Sequence, residues 1–252
     1  MPPSPWPYLD HPGPLAYAHR GGASDAPENT MPAFRHAVDM GYRYLETDAH
    51  VTADGVLLAF HDDVLDRVTS HTGRVLDLPY DVVREARVDG EPIPLMEDLL
   101  TAWPDVRVNI DPKSDEAVEP LAELINRLGC VDRVGIGSFS DKRLATMRRL
   151  CGPRLVTSLG PLATARLKAA SLGLPVGKLP GPCAQLPVRQ GRVVLVDEKL
   201  VATAHRRGMQ VHVWTIDDAD EMRRLLDLGV DGLMTDRPAV LKQVLEERGA
   251  WA

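Results

Sequence analysis

Between Tyr17 and Thr69 the chain gathers residue types that together can do chemistry at an anionic ester. His19 and Arg20 are followed by Gly21-Gly22. Then come Glu28 in Pro27-Glu28-Asn29-Thr30, the pair Glu46 and Asp48, and His61-Asp62. An imidazole has an unperturbed pKa of about 6.5, so His19 and His61 can each accept or give a proton near neutrality. A guanidinium such as Arg20 can grip a phosphate oxygen pair in a charge-assisted, bidentate contact. Alternate residues of a strand share a face, which puts Glu46 and Asp48 side by side. Two carboxylates so close repel unless a proton or cation intervenes, and hard cations with oxygen ligands, Mg²⁺ or Ca²⁺, suit that need. Asp111 and Lys113 repeat the spacing after the run Val108-Asn109-Ile110, and Pro112 between them predicts that a strand ends there.

Other histidines read as structural. His36 and His205 lie in helical runs, His11 and His71 in loops and His212 in a strand. His50 would share a face with Glu46 and Asp48, close enough to approach the same site.

These side chains must be held by the elements around them. Strand-like runs at 15–19, 44–48, 107–111, 133–139, 154–158, 183–186, 210–215 and 232–235 alternate with helical runs. The helical runs lie at 32–40, 95–102, 117–128, 141–150, 162–170, 198–206, 219–228 and 239–247. Strands alternating with helices imply parallel βα units, and eight of them imply a (βα)₈ TIM barrel in the α/β class. In such barrels chemistry sits at the C-terminal ends of the strands, where His19, Asp48 and Asp111 fall. Asn29 or Thr30 is placed to cap the first helix, with Pro32 in its first turn. Gly41, Gly129, Gly152, Gly173, Gly208 and Gly229 fall where helices should stop. The run 56–61 is a ninth strand-like segment. Asp54-Gly55 before it predicts a two-residue type I′ hairpin turn. That turn would pair Ala53 with Val56 and set Asp48 opposite His61, so the hairpin extends the second strand. No linker-like stretch divides the chain, so 1–252 reads as a single domain.

Bulk properties narrow the function. The 252 residues are 44% apolar and 26% charged, an ordinary globular composition. A net charge of −7 argues against broad nucleic-acid binding. It leaves an anionic substrate open, since a bound cation reverses the local field. Cys130, Cys151 and Cys183 are odd in number and widely separated, which predicts reduced thiols in a cytoplasmic protein. No secretory leader is expected, as no Lys or Arg precedes Arg20 and prolines interrupt any apolar run. No run reaches the roughly 18 apolar residues of a membrane span, so no stable membrane insertion is expected.

The blocks around His19-Arg20, Glu28, Glu46–Asp48, His61-Asp62 and Leu65-Asp66-Arg67-Val68-Thr69 resemble the glycerophosphodiester phosphodiesterase family in order and spacing. Weaker matches at Ile93-Pro94, Ser138-Phe139, Gln185-Leu186-Pro187, Trp214-Thr215 and Thr235-Asp236 extend the resemblance over nearly the whole chain. It implies that Glu46, Asp48 and Asp111 hold one divalent cation and that Lys113 helps hold the phosphate. It places Trp214 at the pocket wall. Glu28 matches the family's loop acid, which orients a histidine or the metal shell; a simple helix-entry role weighs as much. Asp111 departs from the commoner family Glu, though related sphingomyelinase D-like enzymes carry Asp.

The implied reaction is hydrolysis of a small glycerophosphodiester to glycerol 3-phosphate and an alcohol, with His19 as base and His61 as acid. Water and a substrate hydroxyl both remain open as the nucleophile. Rival readings are a lysophospholipase D or sphingomyelinase D-like activity on lipids, a different metal-assisted chemistry on the same fold, and a non-catalytic phosphoester-binding barrel. The segment after His61 is shorter than in many relatives. This trimmed cap implies an open mouth, little apolar wall for an acyl chain, and a preference for small soluble diesters over lysolipids.

Overall fold

The computed structural model describes residues 5–251. Its main sheet rolls eight parallel strands into a barrel. In chain order, β1 (Leu15–His19) leads to α1 (Met31–Asp39), and β2 (Tyr44–Val51) to the short antiparallel β3 (Leu57–Ala59), an insertion and α2 (Met96–Ala102). β4 (Arg107–Pro112) then pairs with α3 (Val118–Leu128), β5 (Val134–Ile136) with α4 (Asp141–Cys151) and β6 (Val156–Thr157) with α5 (Pro161–Ser171). β7 (Cys183–Pro187) with α6 (Glu198–Arg206), β8 (Gln210–Trp214) with α7 (Ala219–Asp227), and β9 (Gly232–Thr235) with α8 (Pro238–Glu247) complete the set. The barrel runs β6-β5-β4-β2-β1-β9-β8-β7. A parallel bridge between Ser158 and Cys183 joins its two ends.

Local chemistry explains the element ends. Thr30 caps α1, its hydroxyl accepting the Ala33 N–H, while Asn29 is used elsewhere. Ser140, Asp197 and Asp218 cap α4, α6 and α7 in the same way. The six glycines expected to stop helices all have positive φ. Helix faces and the outward strand residues, among them Leu45, Ala49, Val108 and Ile110, form the main core. Inside the barrel, Tyr17, Tyr44 and Leu15 stack over Tyr8 and Leu9 of the short helix Pro7–Leu9, which closes the N-terminal end. The Tyr44 hydroxyl donates to the Tyr8 carbonyl at 2.7 Å.

The hairpin forms, with a different turn. Ala49 pairs with Ala59, His50 with Leu58 and Val51 with Leu57, one residue out of the expected register. Gly55 has φ +87°, but Asp54 does not adopt a positive φ, so no type I′ turn can form. Thr52 and Val56 instead close a three-residue loop that ends on Gly55. Asp48 therefore faces Phe60, whose N–H donates to the Asp48 backbone carbonyl at 3.0 Å, and His61 lies beyond the paired strand.

The insertion after His61 packs on itself. Leu65, Val75, Val83, Ala86, Val88 and Ile93 join Leu58 and Phe60 in a separate apolar cluster beside the barrel. Among the described residues no helix is long and apolar enough to cross a membrane, and the three cysteines are free.

Candidate active site

At the C-terminal end of the barrel lies a cleft of about 650 Å³. His19, Arg20, Glu46, Asp48, His61, Asp111, Lys113 and Trp214 all line it. Strand alternation brings the acids there. Ladder pairing sets Glu46 beside Asn109 and Asp48 beside Asp111, so carboxylates from two strands share one wall.

His19 ends β1, and the chain turns sharply after it. Arg20, Gly21 and Gly22 have φ of +51°, +85° and +99°. A Cβ at Gly21 would lie 2.8 Å from that of Ala33, and one at Gly22 would lie 2.6 Å from Pro238, so the turn needs both glycines. Arg20 bears left-handed strain of the kind that persists at functional sites. Its N–H donates to Glu46 Oε2 at 3.2 Å, and its Nη1 to Glu28 Oε1 at 3.0 Å. Its buried Nε has no hydrogen-bond partner among the described atoms. Asn29 also has positive φ, and it donates to Asp48 Oδ2 at 3.1 Å while accepting the Thr47 hydroxyl at 2.8 Å.

Each cleft histidine is backed by a carboxylate. Nδ1 of His19 lies 2.7 Å from Asp236 Oδ1, and Nδ1 of His61 lies 2.6 Å from Asp62 Oδ1. A carboxylate only accepts, so both Nδ1 atoms carry the proton and leave Nε2 for the cleft. Burial would lower the pKa of His19, but the charges of Glu46 and Asp236 outweigh it and raise the value. His50 is buried and does not line the cleft. Its Nε2 donates to the His61 carbonyl at 3.0 Å, so it holds the backbone of His61.

The carboxylates differ in charge balance. Burial and the Asp48 charge push Glu46 up to about 7. Burial opposes ionisation of Asp48 as well, yet Lys113, Arg20 and His61 hold it below the usual carboxylate range. Asp111 is raised by burial. The Lys113 ammonium bridges Asp48 at 2.8 Å and Asp111 at 2.9 Å, and these partners outweigh burial to keep it charged. Among the described residues no three Asp, Glu, His or Cys side chains meet as a ready cage for an ion. Asp48 and Asp111 converge on Lys113 instead. The donor set still suits a hard divalent cation, being all oxygen, buried, and short of positive charge at Glu46.

That shortage has a measurable sign. A raised carboxylate binds its proton more tightly folded than unfolded, so its contribution is full below about 4.5 and is lost as pH rises through about 7. In chelator, Glu46→Gln should match the parent at pH 4.5 and exceed it at pH 8 by about 1–3 kcal/mol. Urea unfolding at the two pH values measures this, and equal stability at pH 8 would remove the strain assigned to Glu46.

Glu28 stands behind the cleft, bonded to Arg20 and to Arg67, whose charge holds it below its usual pKa against burial. Asp62, Arg67 and Asp236 sit in blocks legible in the sequence, but residue type and spacing alone give them no role. Gln185 donates to Asn109 at 2.8 Å across the cleft floor. The far wall carries Phe139, Leu159, Pro161, Ala165, Leu195 and Trp214, with Phe139 edge-on to Trp214 at 5.6 Å. No residue between Asp62 and Val108 lines the cleft, so the insertion leaves the mouth open as expected. The expectation of little apolar wall is corrected: the wall comes from the loops after β5, β6 and β7, the start of α5 and the end of β8, which the length of the cap does not affect.

Residues 19–240 match the model of the glycerophosphoryl diester phosphodiesterase family. The chain therefore belongs to that family. It is 42% identical to a Mycobacterium tuberculosis protein named "Probable glycerophosphodiester phosphodiesterase 2", over 97% of this chain and 95% of that one. A rat protein named lysophospholipase D is 29% identical, covering 92% of this chain and 86% of its own length. The fold matches a solved Oleispira antarctica phosphodiesterase in complex with the product sn-glycerol-3-phosphate, at a TM-score of 0.79 and 21% identity. That match covers 93% of this chain and 97% of the other.

Proposed function

We propose that this chain, acting as one barrel unit in the cytoplasm, hydrolyses glycerophosphodiesters to glycerol 3-phosphate and an alcohol with a divalent cation bound. The observation that carries the proposal is the pair of carboxylate-backed histidines, both lining a cleft that also presents Arg20, Lys113 and three acids. Family membership and the name of the 42% identical relative support the same substrate class. Pure binding would not call for two proton carriers with oriented tautomers.

In this reading Glu46, Asp48 and Asp111 hold Mg²⁺ or Ca²⁺. When bound, the cation neutralises charge on the phosphoryl oxygens. Arg20, whose Nε lies 3.5 Å from Asp48 Oδ2 without a hydrogen bond, adds fixed positive charge with Lys113 where negative charge develops. His19 Nε2 takes the proton of the attacking oxygen, and Asp236 offsets the charge the ring gains. His61 delivers a proton to the departing oxygen. Trp214 bounds the site for the remainder of the substrate.

The apolar wall favours a second reading, action on lysolipids, and the rat relative's name supports it. Burying a chain gains about 0.8 kcal/mol per methylene. The mouth is open, so one wall covers only part of that chain, and small diesters remain the primary assignment. Comparing kcat/KM for glycerophosphocholine, glycerophosphoethanolamine and lysophosphatidylcholine, with Mg²⁺ and with Ca²⁺, decides between them. The primary reading expects the two small diesters to be turned over similarly and faster than the lysolipid. A strong lysolipid preference would establish the second reading.

A further inference from the structure

The contacts behind His61 run on without a break. Asp62, next in the chain, accepts His61 Nδ1–H at 2.6 Å. Arg67 holds both oxygens of Asp62, Nε at 2.5 Å from Oδ2 and Nη2 at 2.9 Å from Oδ1. The same guanidinium reaches Glu28, with Nη2 at 2.6 Å from Oε1 and Nη1 at 3.2 Å from Oε2. Glu28 Oε1 accepts Nη1–H of Arg20 at 3.0 Å. A chain of charge-assisted contacts thus links His61, in the loop after β3, to Arg20, in the loop after β1.

Neither Asp62 nor Arg67 lines the cleft, so neither is placed to touch substrate. The loop carrying them is firm. Leu65 is fully buried, its N–H donates to the Gly73 carbonyl, and Asp66 accepts the Gly73 N–H at 3.0 Å. A carboxylate one residue from its histidine would otherwise turn freely about its own side-chain bonds. Arg67 removes that freedom with a planar fork no lysine can reproduce. Arg67 is itself 48% exposed, and ion pairs so open to water add little to stability. If the network matters, its effect belongs in the chemistry.

We infer that Asp62 and Arg67 are positioning residues, which aim His61 Nε2 at the departing oxygen and tie that aim to the phosphate-gripping Arg20. The inference rests on the proposed role of His61 as the acid. A proton donor matters when the leaving group is a poor one, such as the choline alkoxide, and little when it departs readily as an anion, such as p-nitrophenolate.

The test compares glycerophosphocholine with glycerol 3-phosphate p-nitrophenyl ester. With glycerophosphocholine, Asp62→Asn and Arg67→Ala should lower kcat by about 10- to 100-fold and move KM by less than about threefold. With the nitrophenyl ester both variants should stay within about threefold of the parent, which also shows that they are folded. A purely structural tether would slow both substrates alike. Equal slowing, or no slowing, while His61→Ala keeps the substrate difference, overturns the positioning role and leaves His61 as the acid. If His61→Ala shows no such difference, the acid assignment itself fails, and the positioning role fails with it. Should Arg67→Ala not fold, the nearly isosteric Asp62→Asn decides alone.

Discussion

Alanine in place of His19 or of His61 should lower kcat on glycerophosphocholine by about 10²- to 10⁴-fold, the worth of a general acid or base in the transition state. The physical case is symmetrical. Each ring has its Nδ1 committed to a carboxylate and lines the cleft, with His19 Nε2 3.7 Å from Glu46 Oε2. Neither side chain is a core group, since those of His19 and His61 are 17% and 32% exposed. Thermal unfolding of both variants should therefore stay near that of the parent. A near-parent rate in either variant would take that residue out of the reaction.

Lys113→Met should produce the largest loss of stability. The ammonium stands between Asp48 and Asp111, both buried, within 2.9 Å of each. Methionine keeps much of the length and none of the charge, leaving two buried carboxylates facing each other. Breaking such a buried arrangement costs about 3–5 kcal/mol. Millimolar Mg²⁺ or Ca²⁺ should restore part of the loss, because an ion that binds only the folded state stabilises it by mass action. Urea unfolding in chelator and with added cation reads both effects. Unchanged stability in chelator would show that the bridge contributes nothing. For the parent, excess chelator should abolish turnover, and full activity under those conditions would remove the cation from the mechanism.

Much of this architecture was legible because periodicity is local. β1, β9 and α6 have the limits expected from sequence, and the other barrel strands and their helices differ mainly at their ends. The alternation that puts Glu46 and Asp48 inside and Leu45 and Ala49 outside needs only the pleat of a single strand. The hairpin register was missed because Asp54-Gly55 is compatible with two loops. The choice depended on Thr52, whose hydroxyl donates to Asp54 Oδ1 and accepts the Val56 N–H. The partner of His19 was illegible for another reason. Asp236 lies 217 residues away and reaches it only once β9 closes beside β1. The apolar wall was hidden likewise, since its residues come from three loops, helix α5 and the end of β8, far apart in the chain. Arg67 carried no periodic signal at all, and its role emerges only from the two carboxylates it meets.

The most direct test of the central claim is product analysis of glycerophosphocholine incubated with the enzyme and Mg²⁺ or Ca²⁺, followed by phosphorus NMR. The account predicts glycerol 3-phosphate and free choline as the products, formed by the parent and strongly suppressed in both His19→Ala and His61→Ala. Phosphocholine and glycerol as products, or no cleavage of any glycerophosphodiester with either cation, would contradict it.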